Sequence, residues 1–145
     1  MCIFFNENVL FLQTNFKKKM GILNHILGNA TEVNLDEIKQ EFEPILIQGE
    51  ELETAFRIFR DKWVFTNKRL IMLDVQGVTG SKRGYHSIPY KSINHFSVET
   101  AGTLDDDCEM KLWVKGSALP IQKEFKRDVD VKGLSRVLAA HVMNE

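Results

Sequence analysis

From Ile45 to Ser97 apolar and polar side chains alternate with a period of two, whereas before Pro44 and again from Val131 the spacing is three and four. Period two places successive side chains on opposite faces of a strand, and a spacing of three and four places them on one stripe of a helix. Leu35, Ile38 and Phe42 form such a stripe in LDEIKQEFE; Asn34 stands at its cap, Asp36 and Glu37 lie where the helix dipole favours acids, and Pro44 stops it. Upstream, ILNHIL from Ile22 predicts a short helix closed by Gly28. ELETAFRIFR predicts a first strand, with Leu52, Thr54, Phe56 and Ile58 on one face and Arg57 on the other. KWVFT is the second strand and turns at Asn67-Lys68 into the third, RLIMLDV. Beyond the Gly-bearing turn at Gln76–Lys82 comes GYHSIPY, which Pro89 marks as an edge or kinked strand. SINHFSVET, MKLWVKG and LPIQKEF complete the strands, the last two as a hairpin around Gly116. Val131, Leu134, Val137, Leu138 and His141 or Val142 then line one face of a C-terminal helix starting near Asp128 or Asp130.

Seven short strands followed by one helix predict a mainly β (α+β) fold, a strongly bent seven-stranded sheet or partly open barrel capped by the C-terminal helix. The expected organisation is a single domain over 45–145, a helical extension over 20–44 and a separate N-terminal segment over 1–19. One strand departs from simple alternation. In RLIMLDV both faces are apolar, Leu70 and Met72 on one and Ile71, Leu73 and Val75 on the other, and WVF repeats the pattern. An antiparallel strand of a lone barrel shows water one face, so the second face is covered either by another element of this chain or by a neighbouring subunit. On the second alternative Trp63, Phe65, Ile71 and Leu73 are the candidate oligomer interface.

Composition narrows the function. The 145 residues carry a net charge of −1 with 27% charged side chains of both signs, so no global field draws nucleic acid. Cys2 and Cys108 have neither metal-ligand spacing nor a pairing framework, which points to thiols in a reducing compartment. In MCIFFNENVLFLQTNFKKKMGIL the lysines follow the apolar residues, the reverse of a secretory signal, and polar residues interrupt the run well short of the roughly 18 apolar residues of a membrane span. Residues 1–19 are read either as an over-extended reading frame before Met20 or as an interaction arm. Without them the chain holds 16 basic and 19 acidic residues, a net of −3.

Candidate chemistry is sparse. His25, His86, His95 and His141 do not pair at ligand spacing, so no metal or general-base site is expected. DDDCE lacks the alternating oxygen ligands, Gly and distal Glu of a calcium loop, and reads as a solvated turn. QGVTGSKRG lies between strands, not at the start of a helix, and lacks the Gly-Lys-Ser/Thr of a phosphate loop. No Ser or Cys nucleophile has a recognisable His and acid, so no catalytic residue and no cofactor is expected. The remaining signal is basic. Arg60 and Lys62 at the first turn, and Lys82 and Arg83 at the third, both follow odd-numbered strands, and a meander brings them to one end of the sheet as a candidate anion or lipid-headgroup site.

Thr66-Asn67-Lys68-Arg69-Leu70, Ile88-Pro89-Tyr90 and the Thr100-Ala101-Gly102 turn, with MKLWVKG and KEF beyond them, resemble the bacterial pleckstrin-homology (PH) domain family over about residues 21–143. The resemblance implies the partly open seven-stranded barrel with its C-terminal helix and an N-terminal helical extension. It also implies a cytoplasmic, non-enzymatic protein that assembles into homo-oligomeric rings, often five-fold. Eukaryotic relatives of the fold bind phosphoinositides through several Lys and Arg in the first turn and along the second strand; here WVFT carries no cation after Lys62. The leading expectation is therefore a self-assembling interaction module with an unknown protein partner and no nucleic acid. The alternative is a peripheral membrane adaptor binding anionic headgroups through Arg60, Lys62, Lys82 and Arg83.

Overall fold

The computed structural model describes residues 35–100, 102–103, 107–126 and 129–143. The expectations for residues 1–19, for the helix from Ile22, and for the Asn34 and Asp128 caps lie outside these residues. Helix α1, Leu35–Phe42, runs into a 3-10 turn at Glu43–Ile45, where Pro44 withdraws an amide donor. Seven strands follow: β1 Leu52–Ile58, β2 Asp61–Thr66, β3 Arg69–Gln76, β4 Lys82–Pro89, β5 Ile93–Glu99, β6 Asp107–Val114 and β7 Ile121–Lys126. Helix α2, Val131–Val142, closes the described chain, and its cap is Asp130, whose side chain accepts from the Gly133 amide at 2.8 Å.

The strands form two antiparallel meanders, a four-stranded sheet in the order β1-β2-β3-β4 and a three-stranded sheet in the order β5-β6-β7. The main core lies between them: Phe56, Trp63, Phe65, Leu70 and Met72 from the first sheet meet Met110, Leu112 and Phe125 from the second, and Leu134 and Leu138 of α2 pack into the same cluster. Trp63 and Phe125 meet edge to face with ring centroids 5.9 Å apart. Pro89 is the last residue of β4, which among the described residues has no strand partner on its outer side, where a missing donor is tolerated.

The second apolar face of the first sheet has its own cover. Ile38 and Phe42 of α1 pack on Ala55, Val64, Ile71 and Leu73, and all six side chains are buried. Phe42 also meets Tyr85 of β4 edge to face at 5.7 Å. Of the two covers open to the sequence, an element of the same chain is the one found.

Two sequence expectations change. Leu52 was expected to share a face with Thr54, Phe56 and Ile58, but a bulge in the β1–β2 register between Leu52 and Thr54 turns it to the α1 side, where it packs beside Ala55. The proposed interface residues are all interior to one chain: Trp63 and Phe65 point into the main core, and Ile71 and Leu73 lie beneath α1. None of the four leaves an apolar surface for a second copy, because both faces of β2 and β3 are filled from within.

Candidate functional site

The β2–β3 end of the first sheet is held by a polar lock. Glu50 is buried and accepts from the Ile47 amide at 3.0 Å, from Thr66 Oγ1 at 2.8 Å, and from Arg69 through Nε at 2.8 Å and Nη2 at 3.0 Å. Arg69 also donates to the Ile45 carbonyl and to Ser87 Oγ. Asn67 donates its side-chain amide to the Gly49 carbonyl and accepts from the Glu51 amide, so residues 45–51 are stitched to the turn between β2 and β3. Burial pushes the Glu50 carboxyl up, but the bonds from Arg69, the Ile47 amide and Thr66 outweigh it and hold the group below the usual carboxylate range. Tyr90 belongs to the same end, its hydroxyl donating to the Thr66 carbonyl at 2.6 Å. Burial, and the Glu53 carboxylate next, push the phenol well up, so it stays a donor. His141 of α2 meets Tyr90 with the rings tilted and their centroids 4.3 Å apart, and it bridges the Val137 carbonyl and Glu53 with its two ring nitrogens. The motifs at 66–70 and 88–90 therefore hold the fold together.

The opposite end carries the basic residues. Arg60 lies in the two-residue turn between β1 and β2, and its guanidinium packs against Gly80 in the β3–β4 turn, with Nη2 2.6 Å from where a Cβ on that glycine would stand. The first and third turns are thus in contact, as the meander required. They do not gather all four cations into one cluster. Strand parity sends Lys62 and Arg83 to the outer face beneath α1, where Glu41 pairs with both, and leaves Arg60 and Lys82 at the rim. Asp61 is not a free diluting charge: it accepts from the Val75 amide at 3.0 Å and from Lys123 of β7 at 2.9 Å, tying the two sheets together at this end. Neither Arg60 nor Lys82 has an acidic partner among the described residues.

Two residues that the sequence reading passed over stand on these turns. Phe59 has φ +56 and is 87% exposed, and Val78 in the adjoining turn is fully exposed. A left-handed backbone is cheap for Gly or Asn and costly for an aromatic residue, and a Phe ring in water adds a second cost. The signal was present in the sequence as a Phe where a two-residue hairpin turn calls for Asn, Asp or Gly.

No three His, Cys, Asp or Glu side chains among the described residues are grouped to hold a metal ion, and no described helix is long and apolar enough to cross a membrane. Two antiparallel meanders packed face to face with a helix against their shared core is the PH architecture, and the family model of the bacterial PH domain matches residues 21–142. The chain belongs to the bacterial PH domain family. This PH domain is 48% identical over 125 residues to the uncharacterized protein YjqA of Bacillus subtilis (strain 168), covering 86% of this chain and 100% of that one. It is 30% identical over 103 residues to the uncharacterized protein YozO of the same organism, covering 71% and 88%. Among solved structures it is similar to the pleckstrin homology domain from Shewanella amazonensis, with a TM-score of 0.75 and 51% identity over 85% of this chain and 99% of that one. The pleckstrin-homology protein from Shewanella loihica gives a TM-score of 0.69 and 56% identity, with 79% and 98% covered.

Proposed function

We propose that this PH domain is a non-catalytic interaction module whose working surface is the rim made by the β1–β2 and β3–β4 turns, and that the rim engages an anionic membrane surface. The observation that carries the reading is Phe59, a ring held in the left-handed region and turned into water beside a second exposed apolar tip, Val78. Strain and exposure borne together at one position point to a use for that position. Arg60 and Lys82 flank these tips without acidic partners among the described residues, and apolar tips with adjoining cations suit the boundary between headgroups and acyl chains. The test is co-sedimentation with vesicles of phosphatidylcholine containing phosphatidylglycerol. Salt-sensitive binding that falls at least about tenfold in Phe59→Asp, and again in Arg60→Glu/Lys82→Glu, is expected. Binding equal to that of pure phosphatidylcholine vesicles would overturn the proposal.

Self-assembly is the second reading, and the feature that favours it is the outer edge of β4. Among the described residues this eight-residue strand is paired on one side only, and Tyr85 and His86 are exposed along it. An open edge is a template for pairing with another copy, although Lys82, Arg83 and Pro89 blunt both ends of this one. Light scattering across protein concentration tests it: a constant multiple of the monomer mass supports the ring expected of the family, and a monomer at every concentration removes it.

A further inference from the structure

We infer that the last turn of α2 is a proton-controlled latch, closed by one proton held between His141 and Glu53 and loosened when that proton leaves as pH rises. The two side chains come from α2 and β1, far apart in the chain, and both are largely enclosed, at 16% and 12% exposure. His141 Nδ1 lies 2.8 Å from the Val137 carbonyl one turn back, and Nε2 lies 2.5 Å from Glu53 Oε2. A carbonyl oxygen only accepts, so the first contact needs a proton on Nδ1. Two forms make the second contact: an imidazolium donating to the carboxylate, or a protonated Glu53 donating to the lone pair of Nε2. Both forms hold the same number of protons. With one proton fewer, the ring keeps a hydrogen on a single nitrogen and Glu53 is a carboxylate. Whichever nitrogen keeps it, the lone pair of the other faces an oxygen lone pair, of Glu53 or of Val137, and one of the two contacts is lost.

The surroundings favour the closed state. His141 stands in the last turn of α2, where the helix dipole favours a cation, and residues 137–140 before it carry no charge. Tyr90 faces the ring from the turn after β4; its hydroxyl is committed to the Thr66 carbonyl and its phenol is pushed well up, so it does not exchange protons with the pair. From β2 comes the uncharged Phe65 ring, with its centroid 5.9 Å from that of His141. Glu50, ahead of β1, is a second carboxylate acting on Tyr90, but Arg69 holds it. Histidine ordinarily titrates near about pH 6.5, so a latch built on it responds to modest changes in pH. Opening frees Val142 from the main core and takes the cover from the Tyr90 and Phe65 rings. That surface lies at the end of the barrel away from the Phe59 rim, and the latch does not depend on membrane binding there.

The test uses the full chain with labelled methyl groups. Carbon-13 relaxation of the Ala139 and Val142 methyls is read at about pH 6 and about pH 9, which bracket histidine titration. In the unaltered protein both methyls are expected to lose order at the higher pH. Glu53→Gln is expected to keep them ordered at both, because the amide donates to Nε2 of a neutral ring while Nδ1 still donates to Val137. Between the same two pH values the urea midpoint is expected to fall by about 0.5–1 M more in the unaltered protein than in Glu53→Gln, the size of one charge-assisted hydrogen bond over the usual urea dependence. His141→Gln, which has no proton to lose, is expected to show no pH dependence of methyl order. Equal methyl order at both pH values in the unaltered protein overturns the inference, and so does a pH dependence that survives in Glu53→Gln or in His141→Gln.

Discussion

Replacing Glu50 by alanine asks how much the lock on residues 45–51 contributes. The change strips the acceptor from the Ile47 amide, from Thr66 Oγ1 and from two donors of Arg69, which keeps only the Ile45 carbonyl and Ser87 Oγ. Removing one partner of a buried ion pair costs about 3–5 kcal/mol, because the other charge is left without compensation. The Arg69 side chain is 23% exposed, so water takes up part of its solvation and the expected loss is about 2–4 kcal/mol. With a urea dependence of about 2 kcal/mol per molar, the unfolding midpoint at pH 7 falls by about 1–2 M. A cycle with Arg69→Met should show the pair losing less together than the two single changes summed, by at least about 1 kcal/mol. The pH profile gives a second reading. The Glu50 carboxyl is held below its ordinary value in the folded protein, so its contribution is fully present above the unfolded value of about 4.3 and is lost as pH falls through the folded one. Glu50→Gln should flatten that acid limb. A midpoint shift below about 0.3 M in Glu50→Ala, or strict additivity in the cycle, would refute the reasoning.

Trp63→Asp buries an unpaired carboxylate against Phe125 in the main core and should leave no folded monomer, read as loss of near-ultraviolet circular dichroism. Leu134→Ala empties a fully buried position of α2 and should cost about 2–5 kcal/mol by urea unfolding; a loss under about 1 kcal/mol would place that helix face in water. Phe59→Asn relieves a left-handed aromatic and should raise stability by about 0.5–1 kcal/mol in thermal unfolding while weakening vesicle binding; a fall in stability would mean that the ring packs on something in the fold.

The strands were legible because alternation and turn residues agree: Asn67-Lys68, the glycines at 77 and 80, and Pro89 all punctuate where the meander turns or ends. The two-faced character of β3 was legible too, and so was the stripe of α1 that covers it. What periodicity does not carry is which stripe meets which face, and the choice of Trp63, Phe65, Ile71 and Leu73 as an interface failed on that point. Glu50 left no trace because its side-chain partners lie 16 and 19 residues away and it belongs to no repeating pattern. The four cations were placed at the correct end. Their division between rim and outer face required the strand register, which sets the parity of Lys62 and Arg83.

The way α1 sits on the first sheet also fixes an order of events. Its docking surface is not a local hairpin; Ala55, Val64, Ile71 and Tyr85 come from four different strands and become a surface only when those strands are in register. The helix itself is eight residues, too short to persist alone in water. It is therefore expected to condense after the sheet during folding and to open before it in the native state. Amide exchange at residues 35–42 should report a small local opening energy, while the amides of β2 and β3 beneath exchange only when the whole barrel unfolds.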